Sequence, residues 1–172
     1  MVTKVRIEAN EHFREICPKI TGHVLSVGSD DDHDHQGHKY RSYFRNAASY
    51  TTSDMPNHPT PHPIDLIIDI RNVPEIKDES YDCIFCNGVL EHIDRFQDAL
   101  NELTRILKTG GTLILGTPFK QSIHLAPYDY WRFTKYGLSY LLNHKYKIVN
   151  IKELDSINNE FPSAYIVEAI KK

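Results

Sequence analysis

Two hydrophobic rhythms take turns along the chain. His23-Val-Leu-Ser-Val-Gly28 is a short apolar run ending at glycine, the pattern of a buried parallel strand entering a loop. Ser49-Tyr-Thr-Thr-Ser-Asp54 is a β-favouring run that stops at an acid, Ile64-Asp-Leu-Ile-Ile-Asp69 stops at another, and Tyr81-Asp-Cys-Ile-Phe-Cys-Asn87 stops at an amide. Thr112-Leu-Ile-Leu-Gly-Thr117 is a fifth such run, cut off by Pro118. Helical spacing falls elsewhere. Ile7, Ala9, Phe13 and Ile16 predict a lead-in helix over about residues 5–17, broken at Pro18. Phe96, Leu100, Leu103, Ile106 and Leu107 predict a helix within Ile93–Leu107, closed by Gly110-Gly111. A third helix is expected over Thr134–Leu142, with Thr134 as its cap.

The remaining segments complete the pattern. Ser29–Lys39 holds four aspartates and three histidines with no periodicity, so it is loop at its start. Pro56, Pro59, Pro61 and Pro63 forbid a regular helix after the second run. Two β-rich stretches, Tyr146–Glu153 and Ser163–Ile170, have no helix between them and are expected to pair antiparallel. Strands alternating with helices predict an α/β fold, a doubly wound and mostly parallel sheet with helices on both faces. At 172 residues the chain suits one domain, taken as 1–172. In such sheets ligands sit beyond the carboxyl ends of the strands.

Composition narrows the classes. With 40% hydrophobic and 25% charged residues the chain is globular rather than disordered. Apolar runs fall short of the roughly 20 residues a bilayer span needs, and Met1–Asn10 lacks a secretory apolar stretch, so a cytoplasmic protein without a membrane span is expected. A formal charge of −3 with scattered lysines and arginines argues against a nucleic-acid partner. Cys83 and Cys86 have CxxC spacing inside an apolar strand and read as buried thiols, since no second pair completes a zinc site.

The polar strand ends carry the chemistry. A nucleoside ligand needs close backbone approach, carboxylates for its ribose hydroxyls and a slot for its base. Gly28 permits the approach, Asp54 is placed for the ribose, Asp69-Ile70 for the adenine edge and face, and Asn87-Gly88 would border the charged portion.

Those segments resemble the class I S-adenosylmethionine-dependent methyltransferases, especially the subgroup with a methyltransferase-11-type domain. The resemblance rests on Val24-Leu-Ser-Val-Gly28, Ser53-Asp54, Asp69-Ile-Arg-Asn-Val-Pro74, Ser80–Ile93 with its Val89-Leu-Glu-His-Ile93, Leu107–Phe119 and Pro127-Tyr-Asp-Tyr-Trp-Arg-Phe-Thr134. It implies a Rossmann-like sheet of seven strands whose last strand is antiparallel and inserted beside the fifth. It also implies S-adenosyl-L-methionine as cofactor, bound by Val27, Gly28, Ser29, Asp54, Met55, Asp69, Ile70, Asn87 and Gly88. The family carries further glycines after its first strand, whereas Ser29-Asp-Asp-Asp-His-Asp-His-Gln-Gly37 follows Gly28 here.

Methyl transfer depends mainly on in-line positioning, with a base for acceptors of high pKa. The candidates are His92 after the fourth strand and His124, Tyr128, Asp129 and Arg132 after the fifth. The acceptor is expected to be an oxygen or nitrogen of a small molecule or glycan precursor. The alternative is a non-catalytic binding or partner subunit, with the altered loop closing the cofactor site. Plainer roles stand beside these: Asp54 and Asp69 as turn formers, Glu91 complementing a helix dipole, His92 as a cap, and Tyr130–Phe133 closing a core edge. His33, His35 and His38 read as a solvated loop, and no metal is expected.

Overall fold

The computed structural model describes residues 3–56, 62–156 and 161–172. Five strands follow the chain order to the middle of the molecule: β1 (His23–Val27), β2 (Ser49–Asp54), β3 (Leu66–Ile67), β4 (Tyr81–Asn87) and β5 (Leu107–Pro118). β6 (Tyr146–Leu154) and β7 (Ala164–Lys171) complete a seven-stranded sheet of order β3-β2-β1-β4-β5-β7-β6. β1 pairs parallel with β2 and β4, and β4 parallel with β5. β7 is antiparallel to both β5 and β6, so the last strand lies inserted beside the fifth, as expected.

Both faces of the sheet are covered, which is why consecutive apolar residues in one strand are all buried. Leu25, Ile84, Cys86, Leu113, Leu115 and Val167 face α2 (Phe96–Ile106) and α3 (Lys135–Leu142). Their neighbours Val24, Cys83, Phe85, Ile114 and Ile166 face α1 (Lys4–Ile16) and the 3-10 turn Tyr40–Tyr43. α1 buries Phe13 and Ile16 on that side, where Phe13, Tyr40 and Phe44 ring Phe85 at centroid distances of 5.0–5.5 Å from it. The three thiols are enclosed in this packing, and burial pushes each well above its ordinary pKa, so they are inert apolar fillers.

Several boundaries differ from the sequence pattern. β3 spans only Leu66–Ile67 rather than Ile64–Asp69, so Asp69 lies beyond the strand; before it, the Asp65 carboxylate accepts from the Thr52 amide and hydroxyl at 2.8 and 2.9 Å, in place of ladder bonding. Leu90–His92 forms a 3-10 turn, and α2 begins only at Phe96. Gly110 and Gly111 do not close α2, which ends at Ile106 with Leu107 already extended. They lie within β5, where a Cβ on Gly111 would meet Lys108 O at 2.8 Å and Asp82 O at 3.0 Å. Among the described residues no α-helix links β1 to β2 or β3 to β4. Arg105 of α2 ties the second link by donating to Ile76 O at 2.7 Å and Val73 O at 2.9 Å. Pro59 and Pro61 lie outside the described residues.

α3 starts as its sequence predicts, with Thr134 Oγ1 accepting from Gly137 N at 3.0 Å. Removing that cap in Thr134→Ala should cost about 1 kcal/mol. Leu103→Ala, which empties a fully buried site under α2, should cost about 2–5 kcal/mol. Urea unfolding measures both. Equal losses would contradict the core assignment.

Candidate active site

The loop after β1 builds glycine-like turns from aspartates. Gly28 has φ +65°, and a Cβ there would lie 2.5 Å from Val89 Cγ2, so both backbone and space demand glycine. Ser29 turns inward: its hydroxyl donates to Ser26 O at 3.0 Å and accepts from Ser53 N at 3.2 Å, stitching the loop to β2. Asp30 and Asp32 take φ of 48° and 61°, left-handed values that aspartate tolerates better than most residues. Asp32 accepts from Tyr50 OH and Arg41 Nε, both at 3.0 Å. Asp34 is fully buried and accepts from the Gln36 and His38 amides at 2.7 and 2.9 Å and from the Tyr43 hydroxyl. The acidic, histidine-rich stretch is therefore a closed turn network.

At the end of β2, Asp54 is 8% exposed, and its two oxygens accept from Asp30 N at 2.9 Å and Met55 N at 2.7 Å. Each oxygen keeps a lone pair. The Met55 side chain is exposed beside it, whereas Val27 is enclosed in the core. Past β3, Asp69 is clamped by Arg71, with Nε–Oδ1 at 2.9 Å and Nη2–Oδ2 at 2.7 Å, and this guanidinium holds its carboxyl below the usual range. Ile70 packs into the core at 6% exposure, so the side chain expected to offer an adenine face is instead covered by protein.

β4 ends in Asn87, whose Oδ1 occupies the space over Gly116, only 1.9 Å from where a Cβ would be. The Tyr40 phenol, pushed up to about 12 by burial, faces the same amide. Gly88 has φ +72°, is exposed, and donates to Gly116 O at 3.0 Å. Gly28, Asp54, Asn87 and Gly88 thus meet at the carboxyl ends of β1, β2 and β4. A groove of about 280 Å³ lined by Lys19, Asp82 and Lys108 lies at the opposite, amino ends and contains none of the predicted site residues.

The strand-end turn then delivers a group that the sequence pattern undervalues. Glu91 is 2% exposed, its Oε2 has no hydrogen-bond partner, and burial pushes its carboxyl up to about 7. His92 Nε2 lies 3.8 Å from Glu91 Oε1, while its Nδ1 lies 2.8 Å from Tyr128 O. His124 stacks edge-on to His92 with centroids 4.7 Å apart, and its Nδ1 lies 3.2 Å from Ser122 O and 3.3 Å from Asp129 Oδ2. Burial lowers the His92 pKa, favouring the uncharged form of the ring.

Asp129 and Arg132 support this group rather than line it. Their forked pair has N–O distances of 2.6 and 2.7 Å, and the guanidinium holds the Asp129 carboxyl far below its ordinary range. Asp129 Oδ2 also accepts from His124 N at 2.8 Å. The Tyr128 ring is 62% exposed, and only its carbonyl reaches the group. Trp131 donates from Nε1 to Ile93 O at 2.9 Å and packs on Phe96, so the aromatic block does close a core edge. Of the five residues expected to be catalytic, His92 and His124 present ring atoms to a common point with Glu91. A buried acid next to a strand-end histidine was the available signal for Glu91, but burial is not legible in sequence.

Residues 43–115 match the family model described as a methyltransferase domain. A search of curated protein sequences returns no match. Among solved structures, the N-methyltransferase NodS from Bradyrhizobium japonicum, in complex with S-adenosyl-L-homocysteine, is similar with a TM-score of 0.70 at 10% identity, covering 97% of this chain and 87% of that one. A methyltransferase from Burkholderia thailandensis with bound 1,6-didemethyltoxoflavin and S-adenosylhomocysteine gives 0.69 at 14% identity, covering 98% and 79%. A SAM-dependent methyltransferase from Aquifex aeolicus gives 0.64 at 13%, covering 97% and 89%. No helix of the described residues is long and apolar enough to cross a membrane.

Pairing lowers the folded-state pKa of Asp129 below its unfolded value, so the stability it contributes is present above about pH 4 and lost as pH falls from there. Asp129→Asn removes that dependence. Acid unfolding followed by circular dichroism should show a shallower acid arm for the variant, and superimposable arms would contradict the pair's role.

Proposed function

We infer that this chain is a class I S-adenosylmethionine-dependent methyltransferase that transfers a methyl group to an oxygen or nitrogen of a small molecule or glycan precursor, a reading supported by its fold and by its match over residues 43–115. The observation that carries this reading is the meeting of Gly28, Asp54, Asn87 and Gly88 at one end of three adjacent parallel strands, next to the Glu91–His92–His124 group. The reading takes residues 1–172 as one functional unit.

Those residues fit S-adenosyl-L-methionine in kind. The free lone pairs of Asp54 suit two ribose hydroxyls, and Gly28 and Gly88, both at positive φ, let backbone approach the ligand closely. Asn87 and Gly88 border the methionine portion, Met55 flanks the adenosine, and Val27, Ser29 and Ile70 shape the site from beneath. Asp69 reaches a ligand only by sharing its carboxylate with Arg71. When bound, the cofactor supplies a methyl group already activated by its sulfonium. The acceptor's oxygen or nitrogen would take that methyl carbon, with the electron pair of the carbon–sulfur bond leaving on sulfur. The acceptor's proton goes to the Glu91–His92–His124 group, where the His92 Nδ1 contact with Tyr128 O leaves Nε2 as the acceptor atom. Asp129 and Arg132 position His124, and Tyr128 lines the approach.

One observation favours a non-catalytic second reading. The Asp30 amide sits on Asp54 and the Tyr40 phenol faces Asn87, so the altered loop already engages two of the residues assigned to the cofactor. Calorimetric titration with S-adenosylhomocysteine separates the two. The enzymatic reading predicts one site per chain, weakened about tenfold or more in Asp54→Asn by loss of charged hydrogen bonds. Absence of heat at millimolar ligand would favour the closed loop.

A further inference from the structure

We propose that Glu91, His92 and His124 form a binding site for one divalent first-row transition-metal ion. One ligand atom from each lies within 4.8 Å of the others, and among the described residues no other group of histidine, cysteine and acidic side chains comes as close. A tetrahedral site with bonds of about 2.0–2.2 Å separates its ligand atoms by roughly 3.4 Å, so side-chain rotations of about 1 Å close this one around an ion.

Three features go beyond proximity. First, Glu91 Oε2 is buried with no partner, a costly state for a carboxylate that a cation relieves. Second, each histidine is held by its Nδ1, His92 on Tyr128 O and His124 on Ser122 O and Asp129 Oδ2, which leaves both Nε2 atoms as lone-pair donors. That is how metal-binding imidazoles are oriented, through a carbonyl or carboxylate behind the ring. Third, the Asp129 carboxylate is itself fixed by Arg132, so the support does not swing. Two imidazoles and one carboxylate leave coordination positions open, the ligand set of zinc sites and of ferrous sites with exchangeable positions.

The placement deepens the proposed function and rests on it for its role alone. A Cβ on Gly88 would lie 3.6 Å from Glu91 Oε1, so the carboxylate sits directly behind the strand end assigned to the cofactor. The ion takes over the lone pairs otherwise used for proton uptake. With the ion bound, an acceptor oxygen would take one of its open positions and would lose its proton to water rather than to His92, because the metal would lower its pKa.

Zinc titration of the chelator-stripped, tag-free protein, read by calorimetry and elemental analysis, tests the site. One ion per chain is expected, with affinity lost at least about tenfold in His92→Gln and in His124→Gln, and about 10–100-fold in Asp129→Asn. A variant lacking His33 and His35 should bind zinc as the parent does. Zinc bound equally by the parent and both His→Gln variants, or not bound by the parent, overturns the proposal. X-ray absorption at the zinc edge of the unaltered protein gives a check that needs no variant. Two imidazole nitrogens at about 2.0–2.1 Å with oxygen support the site, and a sulfur-containing or imidazole-free shell overturns it. S-adenosylhomocysteine binding, measured in the same samples, reports separately on the methyl-transfer reading.

Discussion

β1 runs between β2 and β4 and is parallel to both, and every ligand argument depends on that pairing. Val27 aligns with Ser53 on one side and Cys86 on the other, so Gly28, Asp54 and Asn87 each follow at the same level of the sheet. A one-residue slip would turn alternate side chains to the other face and separate these three. The register is held beyond the ladder by Ser26, whose carbonyl accepts from both Ser29 and Ser53 hydroxyls. Small hydroxyl residues at a buried strand end thus serve as clamps, and a bulkier loop would have no room to fold back.

The same end of the sheet carries a buried carboxyl with an unpartnered oxygen. Burying Glu91 without a hydrogen bond on Oε2 is unfavourable for the ionised form, which is why its carboxyl holds its proton to about pH 7. The fold maintains this arrangement through the loop after β5. Tyr130 and Trp131 amides donate to Glu91 O at 2.8 and 3.2 Å, Trp131 anchors on Ile93, and the Asp129–Arg132 fork closes the loop on itself. Stability is invested in presenting an acid and two imidazoles to one point, a pattern associated with functional sites.

Much of the architecture was legible because parallel strands covered on both faces become continuous apolar runs, and because three of those runs stop at Asp54, Asp69 and Asn87. The β6–β7 pair was legible for want of a helix between them. Boundaries failed where side chains replaced backbone bonding, as Asp65 does on Thr52, or where glycine served close approach rather than a helix end, as at Gly111. The site was half legible. Asp54 and Asn87 lie where their strand ends put them, but nothing in the sequence reveals that Arg71 claims Asp69 or that Ile70 turns into the core. Glu91 looked like a helix-dipole acid because Glu-His before a helix reads the same whether it is solvated or enclosed. Aspartates standing in for glycines at positive φ were likewise invisible until the backbone was known.

The central claim is that an adenosyl ligand lies across the carboxyl ends of β1, β2 and β4. A crystal structure of the protein grown with S-adenosylhomocysteine tests it most directly. The account predicts the ribose on Asp54 and the homocysteine portion beside Gly88 and Asn87. Density in the groove by Lys19 and Lys108 instead, or a Tyr40 ring still seated on Asn87 with no ligand present, would contradict it.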